Sequence, residues 1–412
     1  MVADAPPGRA MFGRDASSVF GSVPRRVGWL ILLMSFSSLA TGYFWVATSA
    51  YLPQIGVSSG SVGLLLAING VVFILVAIPL GVLADRVGRK QILILGVMGM
   101  PPALLIYAMT SEVAFLMLAS VIAGAAEGAF MTTWNALIAD MASGEGRKEA
   151  FTLSFIVTAA GAGAGYALPY TFPFIAGLGG WTVTRVHEVF FVIIALVALI
   201  TPLSLARLLR EYRESPGERM ALRKGRNLGP MLKFSALNSI IGLGAGFIIP
   251  LIPTWLFLRY GVADNLSGPL LALASLTMGF ASIASTGLAR RFGTVKAIAL
   301  CQGSSTVFML ALAFAPDPAT AGGLYVVRAM LMNMSNPLSD SFLMGIVTKE
   351  ERGLASAINS IVWRLPNSVT TVVGGFLLGM GLYAEPFYLA TLFYAISVAL
   401  FFLIFRGMEP GD

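Results

Sequence analysis

Charge is what this chain has least of. Of its 412 residues only 11% are Asp, Glu, Lys or Arg, while 57% are hydrophobic, and the mean hydropathy is +0.83. A soluble domain carries about 25% charged residues, so a water-soluble globular fold is excluded. The single cysteine, Cys301, excludes an intramolecular disulfide. With only that thiol and one imidazole, His187, the chain lacks the ligands for a zinc or haem centre. No metal or other cofactor is expected, and a membrane-embedded enzyme lacks an obvious nucleophile–base pair. Residues 1–26 contain Pro6, Pro7, Arg9, Arg14 and Asp15 but no short apolar core before a small-residue cleavage site. They read as a polar tail, not a signal peptide.

What is present is a series of long apolar runs. They are continuous over about 20 residues, the length of a membrane-spanning helix, and do not alternate over about 10 as barrel strands do. Helices are predicted at 27–50, 61–84, 91–110, 113–141, 150–174, 188–208, 229–258, 268–289, 297–315, 321–346, 353–381 and 386–406. Prolines interrupt several, at Pro101–Pro102, Pro169, Pro250, Pro253, Pro337 and Pro366. Such breaks are tolerated where neighbouring helices satisfy the freed backbone groups. The fold class expected is an all-α membrane protein of twelve transmembrane helices in two pseudo-symmetric six-helix bundles.

The basic residues orient it. With the N-terminus placed inside, twenty-two of the 27 Lys and Arg fall in the tails or the inner loops. Only Arg185 and Arg259 fall outside, and Lys233, Arg328 and Arg364 lie within helices. By the positive-inside rule both termini are expected in the cytoplasm. The net charge of +7 and the pI near 9.6 then report topology, not nucleic-acid binding. The longest internal polar stretch, REYRESPGERMALRKGRN at 210–227, falls midway. The expected division is a tail at 1–26, a first bundle at 27–208, a cytoplasmic linker at 209–228, a second bundle at 229–406 and a tail at 407–412.

The two halves align without a gap at an offset of 205, GVSSGSVGLLLA at 56–67 lying over GVADNLSGPLLA at 261–272. The same offset pairs Leu83, Ala84, Arg86 and Gly88 with Leu288, Ala289, Arg291 and Gly293. It also pairs Glu145, Arg147 and Ala150 with Glu350, Arg352 and Ala355. Parallel duplicated halves that rock about a midplane site are a known transporter plan.

The sharpest local signal is GVLADRVGRKQIL at 81–93. Gly81 offers a close helix approach, Gly88 a tight turn, and Asp85 an anion suited to the positive end of a nearby helix. Arg86, Arg89 and Lys90 anchor the loop inside. The stretch resembles the loop 2–3 signature of the major facilitator superfamily, matching at Gly81, Leu83, Ala84, Asp85, Arg86, Gly88, Arg89 and Lys90. Twelve spans and the repeat extend the resemblance over almost the whole chain. The resemblance implies that Asp85 holds the start of the eleventh helix and that Arg89 pairs with an acid at the end of the fourth, for which Asp140 is in place. It implies a latch that closes the inner side and loosens during transport. The second half departs from the pattern, with Thr286, Arg290 and Thr294–Val295 at the corresponding positions, so a symmetric second latch is not expected.

Charges within helices are the candidates for function, since each costs about 2.5–3.5 kcal/mol at a helix centre. Glu127, in SVIAGAAEGAFMTTWNALIADM at 120–141, shares a helical face with Met131, Trp134 and Asn135. Burial there equips it to take and release a proton. The alternative is a structural pair with Arg364. In the tenth helix Arg328 is suited to an anionic group or to snorkelling, with Asn336 beside Pro337. Asp340, nearer the inner end, is expected either to pair with Arg290 or Arg291 as part of the gate or to contact substrate. Tyr43 and Trp45 in the first helix are available to stack a ligand or to pack. The resemblance implies that helices one, four, seven and ten line the cavity.

The function expected is secondary active transport of a small organic solute by alternating access, coupled to protons through Glu127. The alternative is a uniporter or symporter of an organic anion. An enzyme or a channel is disfavoured. Partners are then the solute, protons and the lipid bilayer, with no nucleic acid, and the chain is expected to be a monomer. Compact loops suit a small efflux-type or metabolite carrier in the inner membrane of a prokaryote. An antiporter motif is only partly present in AAGAGAGYALPY at 159–170.

Overall fold

In a computed structural model, residues 23–142, 144–210, 212, 228–348 and 352–408 are described. Residues 1–22 and 409–412 of the tails, almost all of the expected linker and the side chain of Asp85 lie outside that description. The described residues form twelve spans. Their bounds are α1 Arg25–Gln54, α2 Ser59–Val87, α3 Arg89–Met109, α4 Val113–Met141, α5 Gly146–Gly179 and α6 Val183–Leu208. The second set is α7 Gly229–Tyr260, α8 Asp264–Phe292, α9 Thr294–Ala313, α10 Pro318–Ile346, α11 Arg352–Gly379 and α12 Glu385–Phe405. Ten are apolar enough to be membrane spans on their own. Both α8 and α10 are 29 residues long, and α10 carries Arg328, Asn333, Asn336 and Asp340 along its length.

The proline breaks fall where the backbone tolerates them. A π turn at Ala47–Tyr51 precedes Pro53 in α1, and 3-10 turns at Leu168–Thr171 and Ile249–Leu251 carry Pro169 and Pro250. Pro337 and Pro366 sit inside α10 and α11 without ending them.

The repeat seen in the sequence is exact in two of the helix pairs. Shifting α2 and α4 by the offset of 205 reproduces both ends of α8 and α10. The turns repeat as well. Gly56 and Gly261 have φ of 90° and 71°, and Gly88 and Gly293 have φ of 118° and 82°. These are left-handed values that side chains rarely adopt, so each pair of glycines fixes the same corner twice.

The core shows where the two halves meet. One continuous cluster joins Tyr43, Tyr51 and Leu52 of the first half to Ile252, Trp255 and Phe387 of the second, at the end opposite the basic loops. At the basic end each half has its own core. Leu30, Trp134 and Ile138 serve the first; Phe234, Phe342 and Phe405 serve the second. The halves are therefore packed together at the far end and separate toward the basic end.

Small residues explain the closure. Gly63, Gly70 and Gly81 recur on one face of α2, at spacings of seven and eleven. A Cβ on Gly63 would lie 2.6 Å from the Thr371 carbonyl oxygen of α11, and one on Gly70 would strike Ser368. At Gly81 the nearest atom is the Thr132 Cγ2, 4.0 Å away in the same half. Thus α2 and α11 touch backbone to backbone at the far end and have diverged by Gly81. The glycines of the partial antiporter motif have a similar role. Gly165 and Gly161 let α5 lie against the backbone of α1, at Leu39 and Ser35.

Candidate functional site

A cavity of about 370 Å³ opens among α1, α3, α4 and α5. Its wall is apolar, with Met34, Met100, Phe130 and Met131, and it contains one carboxylate, Glu127. Gly124 and Gly128 bring α4 onto the backbone of α2 at Asn69 and Phe73, and this packing fixes the turn that carries Glu127. The carboxylate is not free. Arg364, from α11 of the other half, donates from Nη2 to Glu127 Oε1 at 2.6 Å, with side-chain exposures of 26% and 15%. The guanidinium carbon also lies 3.7 Å from the centre of the Phe73 ring, a cation–π contact. Arg364 therefore crosses between halves and is held by a charge and a ring of the first.

A second cavity, about 230 Å³, contains Arg328, Tyr325 and Asn333 and shares Tyr166 and Ser275 with the first. Arg328 is 5% exposed. Its Nη2 donates to Tyr394 Oη at 2.6 Å and its guanidinium lies over that ring, but Nε has no partner. Among the described residues no carboxylate pairs with it. A buried cation without an anion is unfavourable, so this cavity is the one that lacks a negative group.

Other expected site residues are placed differently. Trp134 is 4% exposed and turned into the packing between α4 and α5. Its Nε1 donates to Ser154 Oγ at 2.8 Å and its ring stacks on Phe130. It shares a face with Glu127 in the helix, but the α5 hydroxyl draws it away from the cavity wall. Tyr43 is wholly buried, with its hydroxyl 3.0 Å from His187 Nδ1; it belongs to the far end, not to a ligand stack. Asn135 and Asn336 are exposed and line neither cavity.

The basic-end motif is partly drawn. Arg89 meets Asp140 at 2.5 Å, Tyr212 adds a hydrogen bond to Asp140 at 3.4 Å, and Lys90 donates to the Leu209 carbonyl. These contacts tie α3, α4 and the end of α6 together within the first half. Arg86 is exposed. Asp340 is exposed and forms no ion pair with Arg290 or Arg291, against expectation.

Sequence reasoning missed the polar contacts of the far end. Gln54 Nε2 donates to Asp264 Oδ1 at 3.0 Å, and Thr254 donates to the Ser49 carbonyl. His187 Nε2 lies 2.9 Å from Asp264 Oδ2. The predicted eighth helix began at 268, which left Asp264 in a loop. Its place in the first turn of α8 was legible from the repeat, where the offset sets it over Ser59, the first residue of α2.

The chain matches the model of the Major Facilitator Superfamily twice, over residues 30–239 and 234–412. Its fold is similar to that of a bacterial homologue of the human lysosomal transporter Spinster, in an inward-facing and occupied conformation. That match has a TM-score of 0.73 at 19% identity and covers 94% of this chain and 98% of the other. The inward-facing, unoccupied form of that homologue matches with a TM-score of 0.71 at 18% identity, covering 92% and 97%. A point mutant of the nucleoside transporter NupG matches with a TM-score of 0.70 at 13% identity, covering 92% and 100%. No functionally curated protein matches the chain. With the duplicated twelve-helix frame and a family match in each half, this multi-pass membrane protein belongs to the Major Facilitator Superfamily.

Proposed function

We propose that the protein is a secondary active transporter of a small organic solute, working by alternating access, with the Glu127–Arg364 pair as its coupling element. The supporting observation is that this pair joins the two halves beside the cavity that contains Glu127. The family and the printed names of the similar structures, a lysosomal-transporter homologue and a nucleoside transporter, agree with small-solute transport. In this reading the basic end faces the cytoplasm, and the conformer is open inward: separate cores there, a joint core at the far end.

A proton on Glu127 removes the charge that holds Arg364 to the first half. Arg364 then stays on Phe73 or turns to an anion in the cavity. Proton and solute thus compete for one link between the halves, which is what coupling requires. A second reading, an organic anion as the solute, is favoured by Arg328, the buried cation without a carboxylate.

The test is transport in proteoliposomes. Glu127→Gln is expected to leave the fold and solute binding intact and to abolish the dependence of flux on a pH gradient. Unchanged pH dependence in that variant refutes the coupling role. Ligands for the assay come from a thermal-shift screen, since binding to the folded state raises its melting temperature.

A further inference from the structure

The histidine–aspartate pair at the far end is more deeply enclosed than the ion pair at the cavity. His187 of α6 and Asp264 of α8 have side-chain exposures of 0% and 3%. The imidazole stacks on Tyr51 with ring centres 3.8 Å apart, meets Phe172 edge-on at 4.6 Å, and lies against Phe191. Tyr43 Oη sits at its Nδ1, and Gln54 donates to the other oxygen of Asp264. The 2.9 Å Nε2–Oδ2 approach is a contact of charge and distance, because neither atom has a well-directed hydrogen bond. The pair joins the first half to the second where the shared core closes the far end.

Charge balance decides what the pocket holds. The elements around it are α1 (Tyr43, Tyr51 and Gln54), α5 (Phe172), α6 (Arg185, Glu188 and Phe191) and the first turn of α8 (Asp264 and Ser267). The only cation among these besides His187 is Arg185, and it is engaged with Glu188 at 2.7 Å. With a neutral imidazole the pocket would enclose a lone carboxylate, which a dry site strongly disfavours. One added proton makes the pocket neutral overall. We infer that His187 and Asp264 form a second proton site, a lock between the halves that is closed when a proton is bound and must release that proton to the far-side solution to open.

The inference rests on the alternating-access reading. Opening the far end separates α6 from α8 and admits water, so the imidazole is no longer held beside the Asp264 carboxylate. In the proposed lock the proton is released on that separation, so a higher pH on the far side favours the open state. One linked proton changes the opening equilibrium by up to about tenfold per pH unit. Acid on the far side holds the gate shut.

The experiment uses the full chain in nanodiscs, with Cys301→Ser and spin labels on Ser111→Cys and Met380→Cys, exposed far-end positions on opposite halves. Pulsed electron resonance reads their separation at about pH 5.5 and about pH 8.5, on either side of the imidazole titration. The long-distance population is expected to grow with pH in the parent. In His187→Gln and Asp264→Asn it should change by less than about twofold over the same range. A parent without a pH response, or a response that survives in either variant, overturns the proposal. Because His187 is the only histidine, histidine-labelled parent protein also gives one imidazole signal. Its titration and the distance change must share a midpoint, and separate midpoints overturn the lock even where a substitution prevents folding. Glu127→Gln separates the two readings. The far-end response should persist in it, whatever becomes of its flux; loss there with retention in His187→Gln overturns the lock and leaves the central coupling element standing.

Discussion

Replacing Gly81 with alanine adds one methyl group to a helix face that meets nothing nearer than Thr132 Cγ2 at 4.0 Å. In this conformer the change is free of clashes, and alanine gains about 1 kcal/mol over glycine in helix propensity. The other conformer is different. If the halves rock so that α2 and α11 close at the basic end, Gly81 takes the place that Gly63 has here. At Gly63 a Cβ would sit 2.6 Å from the Thr371 oxygen and 3.2 Å from the Gly375 Cα, both backbone atoms. Overpacking of that kind costs about 1–3 kcal/mol, a shift of about 5- to 150-fold between conformers. Gly81→Ala should therefore melt at a higher temperature than the parent and transport more slowly. Gly63→Ala should do the reverse to the conformational balance, opening the far end and lowering the melting temperature of this form. Thermal melts and proteoliposome flux measure both. A Gly81→Ala protein that transports at the parental rate refutes the claim that this face is shared in turn by the two ends.

Two further outcomes follow from the local chemistry. Trp134→Phe removes the hydrogen bond to Ser154, and with it about 0.5–1.5 kcal/mol, lowering the melting temperature while leaving the KM for solute unchanged; a raised KM would put Trp134 back in the binding wall. Asp317 caps α10, accepting from Ala319 and Thr320, and the Thr320 hydroxyl chiefly holds its carboxyl below the usual range. A depressed acid contributes stability above its unfolded value and loses it as pH falls through the folded one. Asp317→Ala should thus lower the melting temperature at neutral pH, with the difference closing below about pH 4; a gap that persists in acid would refute the cap's role.

The frame was legible because bilayers impose it. A run of the right length spans, and a duplicated chain repeats its corners, so the apolar run at 113–141 marks both ends of the fourth helix and the offset pairs the positive-φ glycines. Polar partnerships were harder. Glu127 and Arg364 are 237 positions apart, and a sequence shows that each needs a partner without showing that each is the other's. Trp134 illustrates the limit of helical-face arguments. Spacing put it beside Glu127, but a hydroxyl on a neighbouring helix decided where its ring went. The His187–Asp264 contact escaped notice because neither residue stood inside an apolar run, the one place where a charge draws attention by itself.

The repeat duplicates corners, helix ends and some loop charges, but not Glu127, Arg364 or Asp264. At the offset of 205, Glu127 falls on Met332, Arg364 on Ala159 and Asp264 on Ser59. The two ends thereby carry charged groups in different surroundings. The far end has a dry charged pair wrapped in aromatic rings, while Arg89 and Asp140 at the basic end are partly in contact with water, with exposures of 21% and 28%. Mobile ions screen exposed charges over about 10 Å at ordinary ionic strength and buried ones far less. Under the lock proposed above, acidity acts on the far end, and salt acts on the exposed pair at the basic end.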